Sequence, residues 1–319
     1  MKEKEVKILF MGTASFSKQV LEELLENNFN IIGVVSQPDR CVGRKKILTM
    51  PEVKEVAIKN NIPVFQPQKI KQEYQEIIDL KPDLIITAAY GQIVPEVILN
   101  APKFGCINVH ASLLPKYRGG APVHYAIING EKVTGITIMY MAKKMDAGNI
   151  ISQLEVNIGE EETTGELYER LSAIGAKLLI ETLPSIIDGT NDSIEQDENL
   201  VTYAPTISHE QEKLDFNKSA GQVYNQVRGM NPWPGAYTVY QDKIVKIWAG
   251  KIHNCENAIK HHAHQENGTI VKIFKDAIGV KTGEGIYLIT ELQIAGKKRM
   301  LVKDYLNGNN IFKVDTKFE

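Results

Sequence analysis

Short apolar runs recur along the first half of the chain with room for one helix between most of them, and this alternation restricts the fold more than any other feature. Residues 6–10 predict a buried strand, after which Gly12, Thr13, Ala14 and Ser15 turn into a helix whose apolar positions Phe16, Val20, Leu21, Leu24 and Leu25 recur at helical spacing. Residues 30–36 predict the next strand, 51–60 a helix, 63–65 a short strand, 69–80 a helix and 83–88 another buried strand; farther on, Thr163, Thr164, Gly165 and Glu166 start a long helix whose Leu167, Leu171, Ile174 and Leu178 mark a buried stripe and which is expected to end near Pro184. Strands that alternate with helices predict right-handed crossovers and a doubly wound, mostly parallel sheet, a Rossmann-like α/β arrangement. The Gly12 turn lacks the G-x-G-x-x-G spacing, so no dinucleotide site is expected.

At 319 residues the chain exceeds the usual single domain, so two are expected. Residues 188–206 are rich in turn formers and acidic side chains, which predicts domains at 1–189 and 207–319 joined by a linker at 190–206. In the second domain a helix at 219–228 precedes short strands at 238–240, 244–248, 269–274, 278–281 and 286–290, a spacing that suggests a small β-barrel. Residues 207–319 carry a small positive excess in a chain whose formal net charge is −2, which permits a polyanionic partner there. Cys41, Cys106 and Cys255 form no C-x-x-C pair, and His261, His262 and His264 sit in a polar run without spaced ligands, so neither a disulfide framework nor a metal site is expected. Lys7 interrupts the only apolar run near the N-terminus, which is too short for a membrane span; a cytoplasmic protein is expected.

Residues 105–120 combine polar chemistry with a strand end. Asn108 and His110 are two residues apart and share one side of an extended chain, while Ile107 and Val109 share the other. That side could be solvent, core or a site, and a core histidine satisfied by its asparagine neighbour is one reading. Pro115 stops the strand, so the pair sits near the carboxyl end, where ligands bind in open α/β sheets. The cationic run at 37–46 reads on composition as a solvated loop, and Asp146, in a loop closed by Gly148, as a turn aspartate.

The run Asn108-Val109-His110-Ala111-Ser112-Leu113-Leu114-Pro115-Lys116-Tyr117-Arg118-Gly119, followed by Met145-Asp146-Ala147-Gly148, resembles the signature of folate-dependent formyltransferases. The resemblance implies 10-formyltetrahydrofolate as formyl donor, catalysis by Asn108, His110 and Asp146, and an OB-like second domain. It also places Ser112, Leu113, Leu114, Pro115, Tyr90, Gly91 and Ile93 around the folate. Pro38, Asp39, Arg40, Gly43 and Arg44 match the P-D-R-x-x-G-R loop of the branch that acts on methionyl initiator tRNA. For that partner the resemblance implies contacts from Arg40, Arg44, Lys45 and Lys46, with Phe16 lining a methionyl pocket unless it is a core residue of the first helix. A monomer is expected, without membrane association.

Formyl transfer to an amine passes through a tetrahedral intermediate with negative charge on oxygen, so the site needs donors for that oxygen and a route for the amine proton. Asn108 and His110 supply donors, and Asp146 can orient the imidazole and compensate its charge. Ala14 and Gly120 depart from the family pattern, which has proline at the first position and in many members alanine at the second. A folate-dependent enzyme acting on an amino-sugar nucleotide and a non-catalytic tRNA-binding relic are the alternative readings.

Overall fold

The computed structural model describes residues 5–43, 46–253, 255–308 and 310–319. They divide into two compact units: the first runs to Pro122 and adds Val133–Asn157 and Tyr168–Pro205, and the second comprises Val123–Lys132, Ile158–Leu167 and the chain from Thr206 onward.

The first half of the chain forms β1 (Ile8–Gly12), α1 (Ser15–Glu26), β2 (Ile31–Val35), β3 (Arg40–Val42), β4 (Ile47–Thr49), α2 (Glu52–Lys59), β5 (Val64–Phe65) and α3 (Gln75–Asp79). It continues through β6 (Leu84–Ala88), α4 (Glu96–Leu99), β7 (Cys106–His110), α5 (Pro122–Ile128), β8 (Val133–Tyr140), β9 (Ile150–Asn157) and α6 (Thr164–Asp188). Seven strands make one sheet in the order β5-β2-β1-β6-β7-β8-β9. From β5 to β7 neighbouring strands are parallel, whereas β8 and β9 join antiparallel. The expected doubly wound, mostly parallel sheet is present, and the central strands β1 and β6 are buried along their whole length because both faces are covered.

Local outcomes differ from the expected elements in three places. Only 75–79 of the segment 69–80 is helical, because Ile70 is buried and its N–H is taken by the Gln92 side chain, while Glu73 accepts from the N–H groups of Gln68 and Lys69. The run at 37–46 is not a plain loop, since β3 and β4 pair as an antiparallel hairpin. α6 continues past Pro184 to Asp188, because Leu183, Ile186 and Ile187 extend its buried stripe. Behind β7, Gly175 of α6 lies so close to Val109 and Ile136 that an added Cβ would press on both.

In the second unit come α7 (His209–Glu212), α8 (Ala220–Gly229), β10 (Tyr237–Tyr240), β11 (Lys243–His253), α9 (Glu256–His261), β12 (Ile270–Ile273), β13 (Ile278–Lys281), β14 (Ile286–Ile294), β15 (Met300–Leu301) and α10 (Val302–Leu306). The order β10-β11-β14-β13-β12, with β15 beside β14, is antiparallel throughout and gives the OB-like half-barrel. The last residues run between its two edges: Val239 and Glu319 exchange backbone hydrogen bonds on one side, and Ile270 N–H donates to Thr316 and Phe318 N–H to Gly268 on the other. Tyr240, Phe312 and Phe318 pack ring against ring in the barrel core. His261 closes α9, so the histidine run is partly helical.

Candidate active site

The register of β6 against β7 places Thr87 opposite Asn108. Thr87 is a buried polar residue in an otherwise apolar strand, and its hydroxyl lies 2.8 Å from Asn108 Oδ1, 3.1 Å from the Ile107 carbonyl and 3.2 Å from Met141 Sδ. With Oδ1 occupied, the Asn108 amide has one orientation, and no acceptor among the described residues meets its Nδ2. The amide N–H groups are left uncommitted for a ligand.

His110 ends β7 at 6% exposure. Its Nε2 lies 3.0 Å from the Tyr117 carbonyl oxygen, which can only accept, so that nitrogen carries the hydrogen. Nδ1 is therefore the basic nitrogen of the neutral ring, and it faces Asp146 Oδ2 at 3.8 Å. This separation is beyond hydrogen-bond range yet close enough for strong ion pairing when the ring is protonated. An Nδ1–H in the charged ring would remain free to serve a ligand oxygen.

Asp146 reaches this position from the opposite end of β7. The antiparallel register pairs Tyr140 with Ile107 and Thr137 with His110, so the β8–β9 loop starts near the beginning of β7 and returns over the face carrying Asn108 and His110. Tyr140 N–H donates to Asn149 at the loop base, and a Cβ on Gly148 would collide with the Tyr140 carbonyl, which is why the residue closing the loop is glycine. Asp146 itself has a positive φ of 51°, and its Oδ2 accepts from Gly119 N–H at 2.8 Å. The structure thus brings Asp146 to His110, on the strand face that also carries Asn108.

The other expected site residues are distributed around that group. Ser112 is fully buried and its hydroxyl closes the turn onto the Lys116 carbonyl. Leu114 is pinned by Thr137, which receives its N–H, and by Gln153, which donates to its carbonyl; Leu113 packs beside Gly135, and the Leu114–Pro115 bond is cis. Tyr90 contributes its ring to the core, while Gly91 has a positive φ and Ile93 is 55% exposed. Phe16 is buried against Tyr168, with ring centroids 5.5 Å apart. Arg40 and Lys46 are exposed on the β3–β4 hairpin; Arg44 and Lys45 lie outside the described residues. Arg40 donates to Gln37 Oε1, and Gln37 Nε2 donates to the Tyr90 carbonyl. At the hairpin base Asp39 receives Lys54 Nζ at 2.8 Å and Gln66 at 2.8 Å, and these two partners hold its carboxyl below the usual range.

Sequence reasoning missed Thr87, Gln196 and the part played by Arg118. Thr87 left a trace as the polar member of a buried run, and Arg118 stood inside the quoted motif; Gln196 left none among the turn formers of its segment. Among the described residues no group of three His, Cys, Asp or Glu side chains could hold a metal ion, and no helix is long and apolar enough to cross a membrane.

Residues 5–183 match the formyl transferase family model, and residues 206–310 match that of the formyl transferase C-terminal domain. Methionyl-tRNA formyltransferase of Bacillus subtilis (strain 168) is 52% identical over 308 residues, 96% of this chain and 95% of the relative. The protein of the same name from Staphylococcus epidermidis is 53% identical over 305 residues, 95% of this chain and 96% of the relative. In fold, the chain resembles WlaRD, a sugar 3N-formyl transferase solved with dTDP and 5-N-formyl-THF, with a TM-score of 0.66 at 21% identity over 92% of this chain and 99% of that one. HypX from Aquifex aeolicus in complex with tetrahydrofolic acid gives a TM-score of 0.63 at 17% identity, covering 94% of this chain and 46% of that one.

Proposed function

The chain belongs to the formyl transferase family, and on that premise we propose that Asn108, His110 and Asp146 carry out formyl transfer from 10-formyltetrahydrofolate. The protein is a formyl-transferring enzyme that formylates methionyl initiator tRNA. The observation that carries the catalytic assignment is the approach of Asp146 Oδ2 to His110 Nδ1 beside an Asn108 amide whose Nδ2 is uncommitted.

The methionyl amine attacks the formyl carbon, and charge develops on the formyl oxygen. Asn108 Nδ2–H and, in the protonated ring, His110 Nδ1–H stabilise that oxygen. Asp146 compensates the imidazolium charge and, through water, accepts the proton leaving the amine. The proton then reaches the departing folate nitrogen as the tetrahedral intermediate collapses. No covalent enzyme intermediate is required.

The folate lies along Gly91, Ile93 and the 112–115 turn, and the acceptor end of the tRNA meets Arg40, Arg44, Lys45 and Lys46. Phe16 shapes the wall behind the methionyl side chain from within the core. In this reading 1–189 carries the reacting residues, 190–206 leads from there to 207–319 while packing, up to Pro205, within the first unit, 207–319 holds tRNA, and the protein acts as a cytoplasmic monomer.

Formylation of charged initiator tRNA with 10-formyltetrahydrofolate tests the assignment. Asn108→Ala, His110→Ala and Asp146→Ala should each lower kcat by roughly 100-fold or more, the scale of losing a transition-state donor. Wild-type rates in all three would reject the trio. Turnover of an amino-sugar nucleotide in place of tRNA would reassign the substrate, and no turnover of either would favour the non-catalytic reading.

A further inference from the structure

We propose that Gln196, held by the buried Arg118, is a positioning residue that sets the Asp146 carboxylate against His110, so that the segment 194–204 belongs to the catalytic machinery. The inference rests on the reading of Asn108, His110 and Asp146 as the reacting trio.

Arg118 is 1% exposed, and a guanidinium is costly to bury unless its donors are met. Its Nε and one terminal nitrogen donate to the same acceptor, Gln196 Oε1, at 3.0 and 2.8 Å, and its other terminal nitrogen donates to Glu198 at 2.9 Å. A guanidinium can only donate, so this grip dictates which end of the Gln196 amide faces it. The opposite end, Nε2, then donates both hydrogens to the loop that carries the carboxylate: to the Asp146 carbonyl at 2.8 Å and the Gly148 carbonyl at 2.7 Å. The amide is saturated, at 5% exposure, and has a single orientation compatible with its neighbours.

That grip falls on the residue that most needs one. Asp146 has left-handed backbone geometry, which an aspartate tolerates but does not favour. Gln196 holds its carbonyl and Gly119 N–H holds its carboxylate, so main chain and side chain are restrained from separate directions. The same segment also holds the other half of the pair. Thr202 Oγ1 accepts the Tyr117 N–H at 2.9 Å, and Tyr117 supplies the carbonyl that fixes the His110 ring. Ile194 and Ile150 exchange backbone hydrogen bonds at one end of the strap, and at the other Arg118 N–H donates to the Thr202 carbonyl while Ala204 N–H donates to that of Arg118. One stretch of chain therefore sets both the imidazole and the carboxylate.

A glutamate and a methionine at 196 separate positioning from simple adhesion. Gln196→Glu keeps an acceptor for Arg118 but turns an acceptor toward the Asp146 and Gly148 carbonyls; Gln196→Met removes both functions. Assayed well below their melting temperatures, both variants should lose roughly 10- to 100-fold in kcat, the scale expected for misplacing a reacting group, with KM for folate and tRNA within about twofold of wild type. The thermal midpoint should fall further in Gln196→Met. Wild-type kcat in Gln196→Glu would overturn the proposal, because activity would then follow only the grip on Arg118. An Asp146→Ala control that keeps full activity would instead remove the catalytic reading on which the proposal stands.

Discussion

Thr87 shows how much one hydroxyl can decide at the residue scale. It fixes the Asn108 amide and so chooses a donor, not an acceptor, for the ligand side. Thr87→Val keeps shape and burial while freeing that amide to rotate. Losing one buried hydrogen bond of about 1–2 kcal/mol predicts a fall in kcat of roughly 5- to 30-fold with an unchanged fold, measurable by steady-state kinetics beside circular dichroism. A wild-type kcat would show that Asn108 needs no such support. His124 offers a second test. Burial lowers its pKa from the ordinary imidazole value of 6.5, against the opposing pull of the Trp233 carbonyl. The unfolded chain takes up this proton first as pH falls below about 6.5, so stability present above that value is lost toward the lower folded pKa. The thermal midpoint should therefore drop more steeply between about pH 7 and 5 in wild type than in His124→Gln. Parallel pH curves would contradict this.

Among the elements, the β3–β4 hairpin is unusual in what it exposes. Val42, Ile47 and Leu48 are 57%, 61% and 66% exposed beside Arg40, although the hairpin base is tied down by Asp39, Lys54 and Gln66. A rooted hairpin with a bare apolar and cationic surface suits a large ligand that stacks on apolar side chains and offers phosphates. Arg40→Ala is expected to raise KM for tRNA by about 3- to 10-fold, leave KM for the folate unchanged, and reduce the salt dependence of tRNA use by up to about one counterion. Equal effects on both substrates would place Arg40 elsewhere in the mechanism. The existence of the hairpin was not legible in the sequence. Its strands are three residues each and solvent-facing, so neither shows the apolar alternation that marks a strand.

Across the whole molecule, cysteine exposure provides a reading of native packing. Cys106 begins β7 within the sheet, and burial pushes its thiol up to about 12, while Cys41 and Cys255 are exposed. A thiol reagent at neutral pH should label Cys41 and Cys255 quickly and Cys106 only after denaturation, as peptide mass mapping would show. Rapid native labelling of Cys106 would mean that the centre of the sheet opens readily.

The central strands, the long α6 and the strand carrying Asn108 and His110 followed from the sequence because local apolar periodicity reports burial wherever an element is long or covered on both faces. The family signature also brought Asp146 into the candidate site. Local pattern could not supply the antiparallel return of β8 or the loop that folds back over β7, because both depend on which strand edges meet. Nor could it show that Gln196, in a stretch of turn formers, would grip the Asp146 loop. Those relations arise from the directionality of hydrogen bonds between residues far apart in the chain, and only the folded chain brings the donors and acceptors into range.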